Sequence, residues 1–186
     1  MQHKDDQGVV EESEESQSGS QQELIDQGWM LKALLLADKA AELGEVPVGA
    51  VVVLDGEIIG QGWNQPIGLH DPTAHAEIIA LREAASNVGN YRVVNADLYV
   101  TLEPCSMCAG AMVHARVRRV IFGAYEPKAG VIVSQQHFLE QGWLNHNVEH
   151  TAGVLADVCS KKLSQFFKSR RAQKRRDKDQ DADQKL

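Results

Sequence analysis

The chain has 186 residues, 43% of them hydrophobic and 5% aromatic, enough for one domain with a sizeable core and tails. No apolar run approaches the ~18–20 residues that span a bilayer. The first 23 residues show neither the basic start nor the apolar centre of a secretory signal, so a cytoplasmic protein with no membrane partner is expected. The net charge of −7 does not exclude a nucleic-acid partner. Residues 1–26 hold eight acids against Lys4, whereas Lys161 to Arg176 hold eight bases and no acid. Binding needs a local basic stripe, not a basic total.

In chain order, residues 1–22 are rich in Gln, Ser, Glu and Asp without apolar periodicity, and read as a disordered acidic tail. Residues 29–43 place Met30, Leu31, Leu34, Leu35, Ala37 and Ala41 at helical spacing, with Gly44 as the cap. Residues 48–54 form a β-branched run, and Asp55-Gly56 is a hairpin signal leading into a second strand at 57–63. Residues 73–86 read as a helix, 97–102 (DLYVTL) as a buried strand, 106–115 as a short helix and 118–123 as another strand. Residues 124–150 carry the weakest pattern. A long last helix is expected from Thr151 to about Arg171, followed by a charged tail over 172–186. The domain proper is then 23–171, a mixed α/β layer structure with helices packed on a central sheet.

Two short motifs carry chemistry: His75-Ala76-Glu77 and Pro104-Cys105-Ser106-Met107-Cys108. Three cysteines, two of them three residues apart, suggest metal or redox chemistry rather than a disulfide framework in a reducing compartment. Cys105 and Cys108 at i, i+3 share one helical face and can share an ion. Pro104 suits the first helical turn, and the positive end of the helix dipole favours thiolates. His75 with the two thiolates makes three ligands, the number typical of a catalytic zinc site, which keeps a position for water. Cys159, His114 and the other histidines are available as a fourth ligand, which would close the site. Cys159, on the apolar side of the last helix, otherwise reads as a small core residue.

Glu77 favours the open site. Residues i and i+2 diverge along a helix, so His75 and Glu77 converge only where the chain enters one, and Asp71-Pro72-Thr73 supplies that entrance. Zinc brings the pKa of a bound water from 15.7 towards ~7. Glu77 is placed to carry protons from that water to a ring nitrogen and to a leaving amine. The pair of motifs, in this order and each opening a helix after a strand, is the signature of zinc nucleobase deaminases.

The flanking sequence resembles the bacterial tRNA-specific adenosine deaminases, within the cytidine/deoxycytidylate deaminase superfamily. The likeness runs from about Trp29 to Arg171. It is carried by EVPVGAVVV (45–53), GWNQPIGLHDPTAHAEIIALREA (62–84), YRVVNADLYVTLEPCSMCAGAMVHARV (91–117), VIFGAYEPKAG (120–130), NHNVE (145–149) and GVLADVC…LSQFF (153–167). The resemblance implies a three-layer α/β/α fold around a mixed sheet of about five strands, and a homodimer with one Zn2+ per subunit. It further implies deamination of adenosine to inosine at wobble position 34 of a tRNA, typically an arginine tRNA. By the same resemblance, His75, Cys105 and Cys108 match the zinc ligands and Glu77 the proton shuttle. Asn64 matches a substrate contact, and Pro47, Val48, Leu102 and Ala124 the wall of the base pocket. His70, Glu126 and Lys128 fall in loops that resemble those touching the flipped-out anticodon nucleotides.

The chain departs from that family where Glu126 replaces the usual Asp, where Val131-Ile132-Val133 replaces small residues, and where Gln141-Gly142 replaces His-Pro. Two other readings stand beside this one. The same metal site serves deaminases of a free base or nucleoside, such as cytosine, cytidine or guanine. A zinc-stabilised RNA-binding protein without catalysis would have no use for Glu77.

Overall fold

Three strands are buried on both faces, and this sets the architecture. A computed structural model describes residues 8–183. The strands are β1 (Gly49–Leu54), β2 (Glu57–Trp63), β3 (Asp97–Leu102), β4 (Arg119–Ala124) and β5 (Glu149–Ala152). The helices are α1 (Gly8–Glu42), α2 (Pro66–Leu69), α3 (Ala76–Val88), α4 (Ser106–Ala115) and α5 (Ala156–Asp183). One sheet runs in the order β2-β1-β3-β4-β5. β1 is antiparallel to both β2 and β3, while β3, β4 and β5 are parallel. The central strands β1, β3 and β4 are almost wholly buried, which is why they read as continuous apolar runs. The β1–β2 hairpin turns on Asp55 and Gly56, both with positive φ (52° and 79°), the conformation that a tight primed turn requires.

Successive side chains on a strand point to opposite faces, so neighbouring residues feed two cores. Val52, Val100 and Phe122 pack beneath α3 and α4 with Leu81 and Met112. Val51, Tyr99 and Ile121 pack beneath α1 and α5 with Met30, Leu34 and Cys159. This is the three-layer α/β/α arrangement on five strands that the sequence led us to expect. α3 lies close on β2 because Gly62 has no side chain: a β-carbon there would stand 2.7 Å from Ala80 N. α1 is anchored by a buried polar cluster at the other end of the sheet. Arg119 pairs with Asp26 (2.7 Å) and Asp97 (3.2 Å), and the Tyr99 hydroxyl donates to Asp26 (2.9 Å).

Element ends differ from the sequence reading by more than two residues in four places. Residues 8–22, expected to be a disordered tail, continue α1, and residues 172–183 of the expected C-terminal tail continue α5; residues 1–7 and 184–186 of those tails lie outside the described residues. Glu, Gln, Lys, Arg and Ala are good helix formers, and a helix already nucleated by packed turns extends at little cost. α3 begins at Ala76 rather than 73, because Asp71 holds a turn by accepting the Thr73 N–H (2.8 Å) and hydroxyl (2.7 Å). The last helix begins at Ala156, since Glu149–Ala152 is strand β5, a half-exposed edge whose sequence EHTA has no apolar run to betray it. No helix among the described residues is long and apolar enough to cross a membrane.

Candidate active site

His75 and Cys105 are both N-cap residues, in extended backbone conformation, of α3 and α4 respectively. The expected convergence at a helix entrance is therefore present: His75 stands just outside α3 and Glu77 is its second residue. Cys105 at the N-cap and Cys108 three residues on occupy positions whose side chains naturally approach. Pro104 precedes the cap rather than sitting in the first turn, and its carbonyl accepts the Val131 N–H (3.1 Å). The His75 Nδ1 atom lies 3.8 Å from Cys105 Sγ and 3.6 Å from Cys108 Sγ. All three donor atoms fall within 4.8 Å of one another. Tetrahedral zinc with its usual bond lengths asks for ligand atoms separated by about 3.6–3.8 Å, and one imidazole with two thiols is a donor set that zinc takes. These residues fit the metal. Among the described residues, no other group of His, Cys, Asp or Glu has this form.

The electrostatics follow from burial and from the two helix starts. The Cys105 thiol is lowered to about 3 by a hydrogen bond from the Cys108 thiol, then by His75 and the Cys108 backbone N–H. Cys108, as the donor in that pair and buried, is pushed up. His75 is raised, first by its hydrogen bond to Cys105 and also by Glu77. Glu77 is 4% exposed, and burial raises its carboxyl above the usual range. A carboxyl raised in this way is suited to exchanging protons near neutrality.

His75, Glu77 and Cys105 line a cleft of about 230 Å³ together with Val46, Val48, Asn64, Leu102, Glu103, Glu126 and Ala129. Of the residues expected at the base-pocket wall, Val48 and Leu102 are in the lining. Pro47 is buried and outside the lining, and Ala124 belongs to the core beneath α1 and α5. Asn64 lines the cleft, and its side-chain oxygen accepts the Ala76 N–H (3.0 Å), fixing the first turn of α3. Glu126 is in the lining; Lys128 is exposed beside it and donates its backbone N–H to the Glu126 carboxylate (2.9 Å). His70, exposed with φ 51°, closes α2 away from the lining. Val46, Glu103 and Ala129 were missed by the sequence reading. Glu103 alone had a signal, an acid at the end of a buried strand and directly before Pro-Cys. Cys159 packs against Gly123, far from any ligand role, and His146 bonds the Val117 carbonyl (2.8 Å). Both are structural residues.

The pattern of the cytidine and deoxycytidylate deaminase zinc-binding region matches residues 24–124. A tRNA-specific adenosine deaminase of Haemophilus influenzae is 57% identical over 155 residues, covering 83% of this chain and 90% of that protein. The chain belongs to the tRNA-specific adenosine deaminase family. Another member, from Bacillus subtilis, is 44% identical over 150 residues, covering 81% of this chain and 93% of that one. A structure solved in a study of A-to-I editing by tRNA:A34 deaminases superposes with a TM-score of 0.71 at 43% identity. It covers 73% of this chain and 98% of the other. The family is zinc-binding, and His75, Cys105 and Cys108 form a group that can hold the one ion.

Proposed function

We propose that this protein hydrolyses adenosine to inosine at the wobble position of a tRNA, with His75, Cys105 and Cys108 holding zinc and Glu77 moving protons. The observation that carries the reading is the buried Glu77 carboxyl, sharing one small cleft with His75 and Cys105, two of the three converging metal donors. Zinc bound there supplies Lewis acidity, which makes a water acidic near neutral pH. Glu77 takes the proton of the attacking water and passes it to the ring nitrogen beside the amino-bearing carbon. It then carries a proton to the departing amine, which leaves as ammonia while the water oxygen stays on the ring. Asn64 holds the entrance of α3 in place through Ala76, and so fixes the relation of His75 to Glu77.

The cleft suits one base, not a stacked pair, so the target base must leave its stack. That costs least in a single-stranded loop such as the anticodon. Val48 and Leu102 supply apolar walls for the base, and Glu126 faces the same space. His70 and Lys128 are exposed around the rim and meet neighbouring nucleotides. Catalysis resides in residues 23–171, in a cytoplasmic homodimer with one zinc per subunit and an arginine tRNA as the natural substrate. Incubating an adenosine-wobble tRNA transcript beside cytidine and guanine, and measuring inosine and ammonia, tests the reading. Inosine forms only from the tRNA. Ammonia from cytidine or guanine, with the tRNA unchanged, makes the protein a small-molecule deaminase instead.

A further inference from the structure

Glu103 follows the last residue of β3 and directly precedes Pro104 and Cys105. It is only 3% exposed, so its charge must be met by hydrogen bonds. All of those described come from one segment. Oε1 accepts the N–H groups of Val133 and Ser134, both at 2.8 Å, while Oε2 accepts the Glu126 N–H at 3.0 Å and the Ser134 hydroxyl.

The segment so gathered, residues 126–134, contains no helix or strand; its shape comes from what it is tied to. Val131 donates its N–H to the Pro104 carbonyl, and the Val131 and Ile132 side chains, 7% and 1% exposed, enter the core beneath α3 and α4. Gly130 passes so close that a β-carbon on it would lie 2.5 Å from Glu103 Oε2. Glu126 and Ala129 of this segment, with Glu103 itself, form one side of the cleft that contains His75, Glu77 and Cys105. The backbone that carries a metal donor therefore also carries the anchor of the opposite wall.

We propose that Glu103 is a positioning residue: its carboxylate fixes the 126–134 segment as a preformed wall against which the extruded nucleotide is seated. The inference rests on the tRNA reading for the identity of that nucleotide, but not for the anchoring itself. A preformed wall spares the substrate the cost of ordering the nine residues 126–134, and that saving is read in KM.

In Glu103→Gln, an NH2 replaces one acceptor and faces an N–H or O–H donor, so at least one bond is lost and the remainder no longer involve a charge. Hydrogen exchange of the Glu126, Val133 and Ser134 amides in the zinc-loaded protein should accelerate by about tenfold or more. Zinc content should stay at the wild-type value. With an adenosine-wobble anticodon stem-loop, KM should rise by a similar factor while kcat falls less. Ser134→Ala, which removes a single bond and spares the carboxylate, should move the same three amides and KM in the same direction by a smaller factor; it also serves if the glutamine variant does not fold. Unchanged amide exchange, or faster exchange with KM unmoved, overturns the proposal. Exchange is read on the free protein, whereas wild-type turnover of the stem-loop tests the substrate, so a wrong substrate and a wrong anchor give different results.

Discussion

The catalytic cleft and the C-terminal arm of α5 start from the same end of the sheet, yet they are specified in opposite ways. The cleft depends on identity at single positions: His75, Glu77, Cys105 and Cys108 each occupy a defined place at the start of a helix, and Glu77 and Cys108 are buried. The arm is rooted where Cys159 packs on Gly123, beside the strand ends that lead into the cleft. Beyond Phe167, every residue through 180 is exposed, and seven of the eleven from Lys168 to Lys178 are Lys or Arg. In the cleft, chemistry fixes which residue; along the arm, only the density of charge is fixed. At the opposite end of the sheet, where Asp26 meets Arg119, α1 leads back through exposed residues towards the acidic N-terminal sequence. The two charged extensions are therefore rooted at different ends of the sheet.

Loss of a metal donor should have the largest effect. Cys108→Ala removes a metal donor sulfur that is wholly buried, and zinc content should fall from one per chain to near zero, with deaminase turnover lost. Metal analysis of the purified variant checks this. Full zinc retention would mean that the ion is held elsewhere and would break the contrast at its strongest point. Glu77→Ala should separate binding from chemistry. Zinc content should be unchanged, while turnover falls about 10²–10⁴-fold, the usual contribution of a positioned acid–base group. Wild-type turnover from that variant would show that a group other than Glu77 moves the protons.

The sequence made the cleft's chemistry legible because spacing and residue type are themselves the mechanism. A His and a Glu two apart point to a helix entrance, and α3 begins between them. A Cys pair three apart before a helical run points to a shared ion, and the donor atoms lie within reach of one. The cleft's walls were less legible. Ala124 and Pro47 are apolar residues near strand ends, and nothing local says that Ala124 faces the core under α1 and α5. Ala129 and Glu126 reach the cleft only because a buried acid draws their segment inward, across more than twenty residues of sequence. The helical ends of α1 and α5 escaped for another reason: polar sequences of high helix propensity carry no apolar stripe, so composition alone reads them as tails.

The arm offers a smaller and differently shaped effect. Neutralising Arg170, Arg171, Lys174, Arg175 and Arg176 together should weaken tRNA binding and flatten its dependence on salt, because fewer counterions are released on binding. The slope of log K against log salt should fall by about 0.7–0.9 for each phosphate that the arm no longer neutralises, while kcat at saturating tRNA stays near the wild-type value. An unchanged slope would show that the arm is only a solvated helix end whose cations suit the dipole. A lowered kcat at saturation would tie the arm to the chemistry and dissolve the distinction between the two regions.

The smallest effect is expected at the arm's root. Lys162 pairs with Asp38 across α5 and α1, but Asp38 is half exposed, so solvent screens the pair and its worth should be under about 1 kcal/mol. Lys162→Met keeps the apolar stem that lies on the domain and removes only the charge. Its unfolding free energy in urea should therefore stay within about 1 kcal/mol of wild type, and its tRNA salt slope should be almost unchanged. A substantially larger destabilisation would mean that the ion pair, and not the packing of Cys159 and Leu163 of α5 onto the core, holds the arm in place. The arm's direction would then depend on salt as its RNA affinity does, and the flattened slope of the five-residue variant would report reorientation as well as weaker pairing with phosphates. Measuring Lys162→Met first therefore decides how the larger arm experiment is read.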